Sequence, residues 1–212
     1  MSATQTLIVE PTHPALGARV TGVDLTKPIM PEVADELRSA FASYSVLCVP
    51  GQLLEAEHQV TFASVFGPVD DDHRQLDDPN NQQSRRGVMY VSNIREDGKL
   101  IGVLPDGEMH FHSDGMHRDR PYRATSLYAI KVPAEGGDTM FSSQAAAYDD
   151  LSTEMQEKLD GLQGRHVFNY NKTTREEMRT DLDDSAFAVH SLVKTNPDSG
   201  RKSLYLSRLM TR

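Results

Sequence analysis

The stretch MHFHSDGMHRDRP, Met109 to Pro121, crowds His110, His112, His117, Asp114 and Asp119 into one short run. Read as a β-strand, HFHSD sends alternate side chains to opposite faces. His110, His112 and Asp114 then share one face, and Phe111 and Ser113 take the other. An imidazole and a carboxylate two residues apart on one strand can share a cation. A His-x-Asp pair joined by one distant His is the facial arrangement of non-haem Fe(II) sites, which leaves positions open for cosubstrate and dioxygen. Imidazole with carboxylate also favours a borderline divalent metal over Mg²⁺ or Ca²⁺. Other readings compete. The pair could be a hydrogen-bonded structural one. Zinc is less favoured, since no Cys pair or His-x₃-His accompanies it. A Ser-His-Asp hydrolase would need a G-x-S-x-G elbow, and the chain has none.

The rest of the chain sets limits. Its 212 residues are the size of one domain with a substantial core, or at most two small ones. The net charge of -9, with no stripe of Lys and Arg, argues against a nucleic-acid partner. No apolar run approaches the ~18 residues of a membrane span, so no membrane partner is expected. MSATQTLIVEP lacks a basic segment followed by an apolar one, so no signal peptide is expected. The single cysteine, Cys48, cannot form an internal disulfide, which points to the cytoplasm. Within VLCVP it reads as a small buried hydrophobe.

Periodicity predicts the elements. TLIVEPTHPALGARVTGVDLT alternates as two short strands punctuated by Pro11, Pro14 and Gly17. KPIMPEVADELRSAFASY places Val33, Leu37, Phe41 and Tyr44 at helical spacing, with Pro31 suited to the first turn. SVLCVPG reads as a strand, and LEAEHQVTFASVFG as a helix ended by Gly67 and Pro68. Residues 67–87 are polar and aperiodic; a loop that long reads as a mobile active-site lid, or as a solvated acidic loop. VMYVSNI reads as a strand, with a turn at Asp97-Gly98 after it. ATSLYAIKVP reads as a strand, and AEGGDTMF turns and starts another. SSQAAAYDDLSTEMQEKLDGL is helical with a break near Ser152. RHVFNY, FAVHSLVKTN and SLYLS close the chain as strands. The pattern is α+β, mainly β, with an antiparallel barrel or sandwich.

Several blocks resemble the TauD/TfdA (taurine dioxygenase) family of Fe(II)- and 2-oxoglutarate-dependent dioxygenases. They are LGARVTGVDLTKP (16–28), FGPV (66–69), HSDG (112–115), VPAEGGDTMFSSQAAAYDDL (132–151) and KTNPDSGRKSLYL (194–206). They follow the family's order and spacing, and the resemblance covers nearly all of residues 1–212 as one domain.

The resemblance implies a double-stranded β-helix (jelly roll) with flanking helices. It implies that His112 and Asp114 are metal ligands and catalytic residues, and that the Thr139 hydroxyl contacts the 2-oxoglutarate carboxylate. His73, Glu108 and Asn93 fall where substrate-contacting or supporting residues are expected. A carboxylate at Glu108 would repel an anionic sulfonate, which weighs against taurine itself. His110 and His117 read as neighbours rather than ligands, Arg118 and Arg120 as solvated loop residues, and His190 as structural; His166 is not promoted either. HRDRP departs from the aromatic-rich segment usual after the motif.

The family's third iron ligand, a His, and the Arg that clamps 2-oxoglutarate would lie beyond residue 212, as would the last strands of the barrel. The C-terminal part of the barrel is therefore expected to be missing. The implied activity is hydroxylation of a small organic acid of sulfonate, alkyl sulfate or aryloxyalkanoate type, using Fe(II), 2-oxoglutarate and dioxygen, and releasing succinate and CO2. The alternative is a catalytically incomplete fragment or a non-catalytic jelly-roll protein acting by self-association. Open sheet edges would favour a homo-oligomer, dimer or tetramer.

Overall fold

The computed structural model describes residues 6–69, 88–100, 102, 110–168, 186–208 and 210–212. The N-terminal part forms as its pattern predicts. Strand β1 (Ile8–Pro11) pairs antiparallel with β2 (Ala18–Thr21), Ile8 against Thr21 and Pro11 against Ala18. Helix α1 (Pro31–Tyr44) starts on a proline, whose missing N–H costs nothing in a first turn. It ends where Ser45 turns left-handed and its N–H reaches the Phe41 carbonyl at 2.8 Å. Strand β3 (Leu47–Cys48) then runs parallel to β2. Helix α2 (Ala56–Ser64) is opened by a capping box, Glu55 with His58.

These elements share one core. Val20, Val23 and Leu25 meet Val33 and Leu37 of α1, with Phe66 closing the cluster. Phe66 takes the edges of Phe41 and Phe62 at 5.1 and 5.4 Å. Leu37 is fully buried, worth about 2 kcal/mol of transfer free energy.

Further along, β4 (Arg95–Glu96) and β5 (Lys99–Leu100) make a two-residue hairpin. Asp97 and Gly98, both at positive φ, supply the turn that matches strand twist. The expected long helix is broken in two, α3 (Gln144–Asp149) and α4 (Thr153–Leu159). The Oγ atoms of Ser143 and Ser152 accept the N–H groups of Ala146 and Met155 as N-caps. Strand β6 (Gln163–Val167) pairs antiparallel with β7 (Phe187–Ser191), and β8 (Val193–Thr195) with β9 (Lys202–Leu204).

The observed architecture is mixed α and β with small sheets rather than mainly β. Several sequence expectations are corrected. Residues 110–114 are not a strand, and neither VMYVSNI nor the stretch 124–142 forms a named strand. A strand exists through its ladder; VMYVSNI shows only single bridge residues, Val88 and Val91, and no paired strand is named beside the other segments among the described residues. Leu127, Ile130, Val132, Met140 and Phe141 accordingly stay exposed. Cys48 is exposed, not buried. It lies in register with Arg19, so it shares the outer face of the sheet that Arg19 already occupies. No helix among the described residues is long and apolar enough to cross a membrane.

Candidate active site

His112 and Asp114 converge, although by a turn and not by a pleat. The backbone turns at Asp114, Gly115, Met116 and His117, and the Arg118 N–H closes it on the Gly115 carbonyl at 3.0 Å. His112 Nε2 then lies 3.2 Å from Asp114 Oδ1. The ring's other nitrogen, Nδ1, is 2.7 Å from the His110 carbonyl. A carbonyl only accepts, so Nδ1 carries a proton; Nε2, which faces the Asp114 carboxylate, holds a second proton when the ring is charged and a lone pair when it is neutral. On Asp114 the second oxygen, Oδ2, accepts from the Thr125 hydroxyl at 2.8 Å.

The electrostatics follow from these contacts. Hydrogen bonding to Asp114, aided by the His110 carbonyl, raises the His112 pKa against the opposing effect of burial. Hydrogen bonds from His112 and Thr125 hold Asp114 below its ordinary value. A carboxylate that stays ionised beside an imidazole with one free nitrogen is a donor set for a divalent cation.

The turn requires its glycine. Gly115 sits at φ +71°, and a Cβ there would meet Tyr122 Cδ2 at 2.9 Å and the Tyr122 nitrogen at 3.1 Å. We expect Gly115→Ala to destabilise the protein by about 2 kcal/mol through positive φ and the clash. Thermal unfolding should show this as a fall in Tm of about 4–8 °C. An unchanged Tm would mean that the turn carries no such constraint.

The loop is moored along its length. The Phe111 carbonyl accepts from Ser207 Oγ at 3.2 Å, and the Arg118 carbonyl lies 2.9 Å from His190 Nε2. Arg123 pairs with Asp198 at 2.6 Å. The Ser126 carbonyl accepts from Gln59 Nε2 of α2 at 3.1 Å, and the Tyr128 hydroxyl accepts from the Leu54 N–H at 3.1 Å. Beside His112 and Ser113 opens a cavity of about 330 Å³. Phe111, Met140 and Phe141 form its apolar lining, and Ser142, Asn196 and Arg201 stand among its polar residues.

The other sequence candidates fall apart from the pair. Thr139 and Asn93 are exposed, and among the described residues no hydrogen bond joins either to His112 or Asp114. His73 and Glu108 lie outside the described residues, as does the expected lid apart from residues 67–69. His110 serves through its carbonyl, and His117 stacks on Phe168 at 4.2 Å. His190 anchors the loop, as a structural residue would. Thr125 was not foreseen; an ordinary Thr eleven residues downstream gives no sequence signal. Among the described residues no group of three His, Cys, Asp or Glu side chains converges.

The pair fits a metal as two adjacent ligands. Donors at about 2.1 Å from one ion at right angles stand about 3.0 Å apart. Nε2 and Oδ1 are 3.2 Å apart.

The sequence pattern of the family described as "Taurine catabolism dioxygenase TauD, TfdA family" matches residues 8–212. The chain belongs to the TauD/TfdA family. It is 29% identical to the (S)-phenoxypropionate/alpha-ketoglutarate-dioxygenase of Sphingobium herbicidovorans, over 94% of this chain and 70% of that protein. It is 31% identical to the pentalenolactone F synthase of Streptomyces arenae, over 92% of this chain and 68% of that one. The crystal structure of AAD-2 in complex with Mn(II) and N-oxalylglycine matches with a TM-score of 0.69 at 28% identity, covering 97% of this chain and 72% of that one. The chain thus matches the jelly-roll structures of TauD-family enzymes as a whole, and the family is one of alpha-ketoglutarate-dependent dioxygenases.

Proposed function

We propose that this TauD/TfdA protein hydroxylates a small organic acid of the aryloxyalkanoate type in an Fe(II)- and 2-oxoglutarate-dependent reaction that uses dioxygen and releases succinate and CO2. The observation that carries the reading is the convergence of His112 Nε2 and Asp114 Oδ1 at 3.2 Å, with Nδ1 already committed to a carbonyl. His112 and Asp114 would hold Fe(II), and a third ligand would come from outside the described residues. Thr139 is assigned to the 2-oxoglutarate carboxylate, where its hydroxyl would donate. His73, Glu108 and Asn93 are assigned to the substrate side, with Glu108 away from the acid's own carboxylate, which it would repel as it would a sulfonate. When bound, Fe(II) with 2-oxoglutarate supplies the oxidising chemistry, while the chain binds and orients.

Two features favour an aryloxyalkanoate over a sulfonate. The cavity beside His112 is lined by Phe111, Met140 and Phe141, apolar side chains suited to an aromatic ring, with Asn196 and Arg201, whose guanidinium already pairs with Asp149, among its polar residues. The Sphingobium relative is named for phenoxypropionate. The test is succinate formation by the full-length protein with Fe(II) and 2-oxoglutarate. We expect 2-phenoxypropionate to raise the rate at least about tenfold above taurine, the range over which an apolar pocket discriminates. A rate raised by taurine alone would overturn the substrate class. No Fe(II)-dependent succinate with any acid would favour the non-catalytic reading, in which the exposed Leu127, Ile130 and Val132 serve self-association.

A further inference from the structure

We propose that Thr125 is a positioning residue of the metal site, holding Oδ2 of Asp114 so that Oδ1 alone is presented to the ion. The inference rests on the reading of His112 and Asp114 as ligands. Its own ground is the division of labour on one carboxylate: Oδ2 accepts from Thr125 Oγ1 at 2.8 Å, and Oδ1 faces His112 Nε2 at 3.2 Å. A carboxylate with both oxygens free can bind one cation through both of them. With one lone-pair direction of Oδ2 committed to a hydroxyl, rotation toward two-oxygen binding would break a charge-assisted hydrogen bond.

The donor is not a loose loop residue. Two residues before it, Arg123 is held by Asp198 at 2.6 Å, and the next residue's carbonyl is held by Gln59 at 3.1 Å. The Thr125 backbone is therefore fixed from two elements distant in sequence, and its hydroxyl arrives already placed. The same logic holds His112, whose Nδ1 is fixed by the His110 carbonyl at 2.7 Å. Each ligand thus has one atom tied to the protein and one left for the ion, the arrangement by which outer contacts orient a metal's ligands. The consequence is functional. A one-oxygen Asp114 leaves one more coordination position for cosubstrate and dioxygen than a two-oxygen Asp114 would.

The test uses the full-length chain and Mn(II) alone as probe. Thr125→Val removes the hydroxyl at nearly constant volume, and Thr125→Ser keeps it. We expect Thr125→Val to weaken Mn(II) binding about tenfold, the low end for lost outer contacts because Asp114 is 44% exposed. We expect the water-proton relaxation of bound Mn(II) to fall by about a third, as Asp114 takes one of the three open positions of a facial site. Thr125→Ser should restore both, with thermal unfolding alike in all three proteins. A packing role alone would leave the relaxation unmoved. If Thr125→Val does not fold, Thr125→Ala against Thr125→Ser makes the same comparison. Wild-type affinity and relaxation without the hydroxyl, in a protein whose Asp114→Ala variant has lost Mn(II), overturn the role of Thr125 and leave the dioxygenase reading standing. Mn(II) binding unchanged in Asp114→Ala overturns that reading and the Thr125 proposal together.

Discussion

Replacing either His112 or Asp114 by Ala should abolish Fe(II)-dependent turnover of 2-oxoglutarate in the full-length protein. The loss should exceed the ~10–100-fold typical of removing an outer contact, because a ligand itself is gone. The alternative, a hydrogen-bonded pair that only holds the turn, makes a different prediction. Asp114→Asn separates the two. The amide can donate to the unprotonated His112 Nε2 and can still accept from Thr125, so both contacts of the structural reading survive. The anionic charge that a divalent cation needs does not survive. We therefore expect Asp114→Asn to unfold within a few degrees of wild type and to form succinate at background level. Titration with Co(II), followed by its visible absorption, should show the same loss without depending on turnover. Succinate formation near the wild-type rate in Asp114→Asn or His112→Ala would sink the metal assignment. A collapse of Tm in Asp114→Asn would return the pair to a structural role.

The N-terminal half of the fold was legible because its elements are stabilised locally. Val33, Leu37 and Phe41 recur on one face of α1, Pro31 starts it, and Val20 and Val23 lie inward across a short hairpin. The same applies to α3 and α4, whose break is written in the capping Ser152. The middle of the chain was not legible in this way. Leu127, Ile130 and Val132 carry a strand's composition, yet a strand is made by its neighbour, and the sequence of one strand does not name that neighbour. His112 and Asp114 do come together, but not by the geometry the sequence suggested. Alternation on a pleat predicted that His112 and Asp114 would share a face. What brings them together is the turn at Gly115, whose left-handed φ no spacing rule reveals. The family blocks pointed to His112 and Asp114 independently of that geometry. Thr125 had no signal at all, because its partnership depends on how the loop is moored to Gln59 and Asp198. Glycine spacing and apolar periodicity report the backbone; the contact of the Thr125 hydroxyl with Asp114 is visible only once the chain is folded.

Acid should destabilise this protein through His166, by about 3 kcal/mol between pH 7.5 and pH 4. His166 is fully buried in β6, beside the rings of His190 and Tyr205 at 5.6 and 5.2 Å. Its Nδ1 lies 3.0 Å from the Thr211 hydroxyl, which accepts the Ser207 N–H at 2.8 Å and so has its proton free to give to the ring. Nε2 then carries the ring's proton, and it is buried without a hydrogen-bond partner among the described residues. Burial, with the nearby His190 and Lys194, pushes the His166 pKa down to about 4 from 6.5. Between those two values the unfolded chain takes up a proton that the folded one refuses, so stability rises with pH across the window. It is fully present above 6.5 and is lost as pH falls toward 4, at about 1.4 kcal/mol per pH unit. His112 works in the opposite sense, since its pKa is raised and its contribution fades as pH rises. Comparison of wild type with His166→Gln cancels that term. Urea unfolding at pH 7.5, 5.5 and 4 should give a wild-type stability that falls by about 3 kcal/mol more than the variant's. An NMR titration of the His166 ring should place its midpoint near 4 in the same protein. Parallel stability curves, or a ring that titrates near 6.5, would show that His166 has access to water in the folded state.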